Sequence, residues 1–224
     1  MNTYPRYKAV IFDLDGTLLD TVADLGEAVN HSLALRGFPL HGIAEYRQMV
    51  GHGVRDLVTK ALPEGRRGDT ALVDACLADF RAWYTAHIDV HTRPYAGLPE
   101  LLEALQEAGV QIAVASNKFQ AGTEQLIRRF FPRIRFAAVL GNREGFPLKP
   151  DPEIVAEVLR RTGCRPADAV LVGDSLTDLK TAENGGIAGI AVCWGYRSFE
   201  GMRDVTLADS PAALRAILWA EALS

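Results

Sequence analysis

The stretch AVIFDLDGTLLD, residues 9–20, decides how the chain is read. Ala9 to Phe12 form a short apolar run with no polar alternation, the pattern of a strand buried on both faces of a parallel sheet. Asp13, Asp15 and Gly16 follow at once. Carboxylates two positions apart on an extended chain face the same side. Like charges that close push one pKa above the usual aspartate value of about 3.9 unless a cation intervenes. A divalent hard cation, Mg²⁺ above all, would stabilise both charges. A proton kept on one carboxyl would instead supply a general acid beside a nucleophile. A third reading needs no ligand, since aspartates often shape the turn before a glycine.

Working outward, four more short apolar runs have the same character: IAVA (112–115), AAVL (137–140), AVLVG (169–173) and GIAV (189–192). Helical patterns separate them. LPELLEALQEAG (98–109) lies between Gly97 and Gly109, QAGTEQLIRRFF (120–131) stops at Pro132, and DPEIVAEVLRRTG (151–163) runs from proline to glycine. LTDLKTAENGG (176–186) ends in a glycine pair. This alternation predicts an open α/β parallel sheet of Rossmann-like topology, with five core strands and helices on both faces. Residues 20–95 break the alternation. Val22, Leu25, Val29 and Leu33 have helical spacing behind Thr21, which with Asp24 comes close to a capping box. IAEYRQM, VRDLVTKAL and DTALVDACLADFRAWYTAHI add further helical segments, in which Phe80, Trp83 and Tyr84 read as core. The expectation is an α/β core from residues 1–19 and 96–224, carrying an all-helical cap over 20–95.

Composition sets outer bounds. The 224 residues are 48% hydrophobic and 23% charged, globular proportions, and the net charge of −4 gives no electrostatic reason to expect nucleic acid or an anionic membrane. No apolar run reaches transmembrane length. MNTYPRYKAV holds no signal-peptide core, so a cytoplasmic location is expected. Cys76, Cys164 and Cys193 are odd in number and lack metal-ligand spacing, which reads as three reduced structural thiols. Nothing marks an oligomer interface, and a monomer is the default.

The polar residues that carry chemistry follow the apolar runs: Asp13 and Asp15 after the first, Ser116, Asn117 and Lys118 after the second, and GDSLTD (173–178) at the end of the fourth. Lys149 sits in LKPDP, just ahead of a helix. All carboxyl ends of a parallel sheet point one way, and ligands bind there. Taken singly, Ser116 reads as a helix cap, Lys149 as a solvated loop residue, Asp174 as a cap and Asp178 as a first-turn acid; Asn117 and Lys118 stand between site wall and local turn.

Together these segments resemble the haloacid dehalogenase-like hydrolase superfamily. FDLDGTLLDT resembles its D-x-D-G-[TV] motif, VASNK its hydroxyl motif, LKPDP its lysine motif and VGDSLTD its acidic motif, in the family's order. The insertion resembles the family's helical cap, and DLGEAVNHSLALRGFP, VGHGVRDLVTKAL and AGLPELLEAL look most like the phosphoglycolate phosphatase subgroup. The resemblance implies that Asp13 is a nucleophile forming an aspartyl-phosphate and that Asp15 is the acid and base. It implies Mg²⁺ held by the Asp13 carboxylate, the Asp15 carbonyl and Asp174, with Asp178 supporting water ligands or Lys149. Ser116 and Lys149 would bind the phosphoryl group, with Asn117 a further phosphate-binding candidate.

The expected activity is Mg²⁺-dependent hydrolysis of a small phosphorylated metabolite, phosphoglycolate-like. A nucleotidase, a pyrophosphatase or a sugar-phosphate mutase would share this core. A dehalogenase would lack Asp15. A phospho-accepting signalling module would carry its aspartate after the third strand, where this chain has VLGNREG. Substrate choice should lie in the cap, where Gly51 and Gly53 flank His52 and Arg55 opens a helix. A cation in a helix's first turn is locally unfavourable, which suggests an external anionic partner for Arg55; the alternative leaves His52 and Arg55 facing solvent.

Overall fold

A computed structural model describes residues 5–202 and 204–220. The five expected strands form, as β1 (Ala9–Phe12), β4 (Gln111–Phe119), β5 (Phe136–Asn142), β6 (Ala169–Gly173) and β7 (Ala188–Val192). Two short strands, β2 (Leu19–Asp20) and β3 (Arg93–Pro94), intervene after β1 and are described below. The count of five core strands needs correction: β8 (Thr206–Ala208) adds a sixth, and the order is β5-β4-β1-β6-β7-β8, parallel throughout. This edge strand is three residues long and half exposed, so it carries no apolar run that sequence alone would reveal.

Strand periodicity divides the core in two. Val10, Phe12, Ile112, Val114, Val170 and Val172 point to one face, where they pack with α5 (Leu98–Glu107), α6 (Gln120–Phe130) and α9 (Pro211–Leu218). Ala9, Ile11, Ala113, Ala115, Ala169 and Leu171 point to the other, beneath α7 (Glu153–Thr162) and α8 (Leu176–Asn184). Both faces are therefore covered, as the continuous apolar strands require.

Between β1 and β4 the chain forms α1 (Val22–Ala34), α2 (Ile43–Met49), α3 (Val54–Ala61) and α4 (Thr70–His87). The insertion is helical except at its root, where β2 and β3 pair antiparallel. The capping box anticipated at Thr21 and Asp24 does not form. Thr21 makes no side-chain cap bond, and its hydroxyl donates to Asp15 Oδ1 at 2.6 Å. Asp24, buried, accepts from the backbone N–H groups of His91 and Thr92 and from the Thr92 hydroxyl, which ties the start of α1 to the return strand. No described helix is long and apolar enough to cross a membrane.

Candidate active site

The carboxyl ends of β1, β4 and β6 meet around one cavity of about 50 Å³, several times the minimum for an ordered water. Asp13, Asp15, Ser116, Asn117, Lys118, Lys149, Asp174 and Asp178 all line it. Residues more than 160 positions apart are therefore neighbours, as the parallel topology anticipates.

Lys149 organises the acidic side. Its Nζ lies 2.8 Å from Asp13 Oδ1 and 2.6 Å from Asp178 Oδ1, and all three residues are buried. Asp178 uses its second oxygen on Ser175, accepting from the backbone N–H at 3.1 Å and the hydroxyl at 2.5 Å. Ser175, not Asp174, is thus the N-cap of α8, and Asp178 completes a capping box while holding Lys149. Asp174 Oδ2 accepts from the backbone N–H of Tyr196 at 2.7 Å.

Three carboxylates against one ammonium leave the cluster negative. Burial pushes the Asp13 carboxyl up to about 7, with Lys149 pulling it back and the charge of Asp178 adding to the rise. Burial likewise raises Asp174 to about 8, aided by the charges of Asp178 and Asp13. Burial alone would lower the Lys149 amine, but Asp13 and Asp178 more than reverse this and hold it charged. One oxygen from each of Asp13, Asp174 and Asp178 lies within 4.8 Å of the others. This hard-oxygen set, carrying an excess of about two negative charges, fits a divalent cation such as Mg²⁺. Glycines shape the cradle: a Cβ on Gly195 would come within 2.3 Å of Asp174 Cβ and 2.4 Å of the Gly16 carbonyl oxygen.

The hydroxyl motif reaches the cavity through a local irregularity. Ala115 pairs with Leu140 and Phe119 with Asn142, so four steps along β4 match two along β5. The surplus residues bulge and re-aim Ser116, Asn117 and Lys118. Ser116 Oγ lines the cavity and accepts from Lys118 N at 3.2 Å. Asn117 is a staple: its amide donates to the carbonyls of Gly51 and Lys149, each at 3.2 Å, and its oxygen accepts from Lys149 N at 2.8 Å. Both side-chain amide protons are committed within the fold, which fixes Asn117 in the cavity wall.

A profile of the haloacid dehalogenase-like hydrolases matches residues 10–192, a span that includes every one of these side chains except Tyr196. The chain belongs to this family. Phosphoglycolate phosphatases from Mesorhizobium japonicum and Agrobacterium fabrum are similar over most of its length. The first is 38% identical over 84% of this chain and 83% of its own, the second 33% identical over 88% and 84%. A crystal structure from Lactobacillus delbrueckii subsp. bulgaricus, provisionally named a phosphoglycolate phosphatase, superposes with a TM-score of 0.88 at 31% identity, covering 95% of this chain and 99% of that one. CbbY from Rhodobacter sphaeroides, solved in complex with phosphate, gives 0.73 at 25% identity over 93% and 96%.

Within this hydrolase, the two specificity candidates lie outside the central cavity. Arg55 forms an exposed ion pair with Asp74 across α3 and α4, which gives its charge a partner within the chain. His52 is exposed, with Asp56 at 3.9 Å and the Thr177 hydroxyl at 3.5 Å. The backbone around them does contribute, since Gly51, Gly53 and Val54 line the cavity.

Lys118, which the sequence leaves between site wall and local turn, takes part, as do three residues of the loop after β7 that the motifs do not include. Lys118 Nζ lies 3.0 Å from Asp15 Oδ1 and 4.7 Å from the centre of the Tyr84 ring. Tyr196 gives its backbone N–H to Asp174, while its hydroxyl accepts from Thr21 N at 2.7 Å and donates to Asp20 Oδ1 at 3.1 Å. Arg197 donates to the carbonyls of Arg47, Gln48 and Val50 at the end of α2. Trp194, in the same loop, donates its indole N–H to the Thr17 carbonyl at 3.0 Å. The only trace of this loop in the sequence is WGYR (194–197), an aromatic and glycine cluster just past a strand.

Proposed function

We propose that the chain hydrolyses small phosphomonoesters, phosphoglycolate-like, through an aspartyl-phosphate on Asp13. The observation that carries the reading is the buried Lys149 bridging Asp13 and Asp178 beside Asp174, at the mouth of β1 and β6. Membership of the hydrolase family and the phosphatase names of its relatives support the reaction class.

Phosphoryl transfer requires neutralisation of the phosphoryl oxygens and in-line attack. Asp13 attacks phosphorus, and its carboxylate oxygen gains the bond that the ester oxygen loses. Asp15 gives a proton to that departing oxygen. It then takes a proton from the water whose oxygen replaces Asp13 on phosphorus, so inorganic phosphate leaves and Asp13 is restored. Lys149 and the Ser116 hydroxyl bind the phosphoryl oxygens, and Asp178 orients Lys149. The Asp13 carboxylate, the Asp15 carbonyl and Asp174 would hold Mg²⁺, which would supply charge neutralisation there. Residues 20–95 act as a cap that excludes bulk water, joined at the β2–β3 ladder to a core of 1–19 and 96–224.

The test is a release assay with and without Mg²⁺ on 2-phosphoglycolate, sugar phosphates, nucleoside monophosphates and pyrophosphate. Acid-quenched enzyme should carry one phosphoryl group, and Asp13→Asn should carry none. Metal-independent release, or a phosphoryl group retained in Asp13→Asn, contradicts the mechanism.

A further inference from the structure

Lys118 has surroundings that a mere counter-ion would not need. Its side chain is 3% exposed, its amine spans both Asp15 oxygens at 3.0 and 3.4 Å, and the Tyr84 ring closes off the space behind it. The remaining direction opens on the cavity, which it lines. Of the other cations of that cavity, Lys149 bridges Asp13 and Asp178 and is assigned above to the phosphoryl group, and Arg197 donates to the carbonyls ending α2. Beyond the carboxylates the wall is apolar, built from Leu25, Val50, Val54, Leu57, Phe80 and Phe119. The Asn117 side chain has both amide protons committed, and the Ser175 hydroxyl is taken by Asp178. A sugar or nucleoside would leave most of its hydroxyls without partners against such a wall.

We propose that Lys118 binds a carboxylate on the leaving alcohol, and that the substrates are phosphomonoesters of short hydroxycarboxylic acids. The inference rests on the phosphatase reading above and assigns its specificity to one core residue rather than to the cap. The geometry is economical. A carboxylate one carbon beyond the ester oxygen has its own oxygens about 3 Å from that oxygen by ordinary bond lengths. Asp15 contacts the ester oxygen when it donates its proton, and Lys118 is already within 3.4 Å of both Asp15 oxygens. Rotation about the outer bonds of the lysine carries the amine from one carboxylate to the other, so the substrate's charge replaces that of Asp15 as its partner. The amine enters already desolvated, and a site that bonds a substrate group strongly rejects the analogue lacking it.

The experiment compares 2-phosphoglycolate with 2-hydroxyethyl phosphate, its uncharged analogue, in wild type and Lys118→Met at saturating Mg²⁺. Wild type should prefer the charged ester, and Lys118→Met should lower the ratio of the two kcat/KM values by about 30-fold or more. Glycolate should inhibit wild type competitively and the variant much less. Should Lys118→Met fail to fold, Lys118→Gln keeps a donor for Asp15 and is held to the same ratio. A parallel loss on both esters makes Lys118 a counter-ion of Asp15 alone and overturns the proposal. So does a wild type without preference for the charged ester. A wild type that hydrolyses no phosphomonoester overturns the phosphatase reading itself, which is a distinct result.

Discussion

Metal-free protein should lose stability as pH rises from about 4 to about 8, and Mg²⁺ should restore it most at the alkaline end. Asp13 titrates near 3.8 when unfolded and near 7 when folded, and Asp174 near 3.8 and 8. Between those limits the unfolded chain has released protons that the folded chain still binds, so unfolding is favoured as pH increases. Below the unfolded value both states are protonated and the penalty vanishes. For Asp13 the penalty is on the order of a few kcal/mol at the alkaline end, with burial its main cause. The two penalties are not additive, because each contains the other's charge. Mg²⁺ at about 100 times its Kd contributes about 2.7 kcal/mol. In a protein of this size that corresponds to a Tm increase of about 5–10 °C. Near pH 5.5 the metal must displace protons, and the increase should be at most about half as large. Thermal unfolding with Mg²⁺ or EDTA at both pH values measures this directly. An equal Mg²⁺ effect at the two pH values, or a metal-free protein that is firmer at pH 8, would refute the cluster electrostatics.

Asp13→Asn should abolish turnover while leaving Tm in EDTA at pH 8 equal to or above wild type, since a repelling carboxylate has gone; a calorimetric scan beside a phosphate assay checks both. Gly195→Ala places a methyl group against Asp174 Cβ and the Gly16 carbonyl, and should cost about 1–3 kcal/mol in urea unfolding and weaken Mg²⁺ binding. Arg197→Ala removes the donors from the end of α2 and should speed amide exchange in residues 43–49 and raise KM several-fold; hydrogen exchange on intact protein reads the first, steady-state kinetics the second.

The central strands and the acidic ends of β1 and β6 were legible because burial on both faces leaves an uninterrupted apolar run followed abruptly by charge. The role of Asp178 was half legible: alone it reads as an acid in the first turn, and only the family resemblance pointed to support of Lys149, because the pairing depends on how α8 meets the loop before α7. Lys118 was harder. The β4 irregularity that aims it inward is a mismatch with β5, and no local signal reports a mismatch between two strands. The partners of the Tyr196 hydroxyl lie 175 and 176 positions away, and a two-residue ladder such as β2–β3 has too few residues to show periodicity. Sequence alone leaves Arg55 open between an external anion and solvent, because it does not place Asp74 of the neighbouring helix beside that charge.

The unequal faces of the sheet bear on how this enzyme tolerates drift. Ala9, Ala113, Ala115, Ala138 and Ala169 form much of the floor under α7 and α8, while Val10, Phe12, Ile112 and Val172 make up the opposite side. Methyl-sized residues let a helix sit close to the strands, and the segments carrying Lys149 and Asp178 inherit their separation from that close seating. Added bulk at Ala113 or Ala115 would therefore be felt as a lengthened ammonium–carboxylate contact between Lys149 and Asp178. Volume changes at Val10 or Ile112 would fall on the opposite face, beneath α5, α6 and α9.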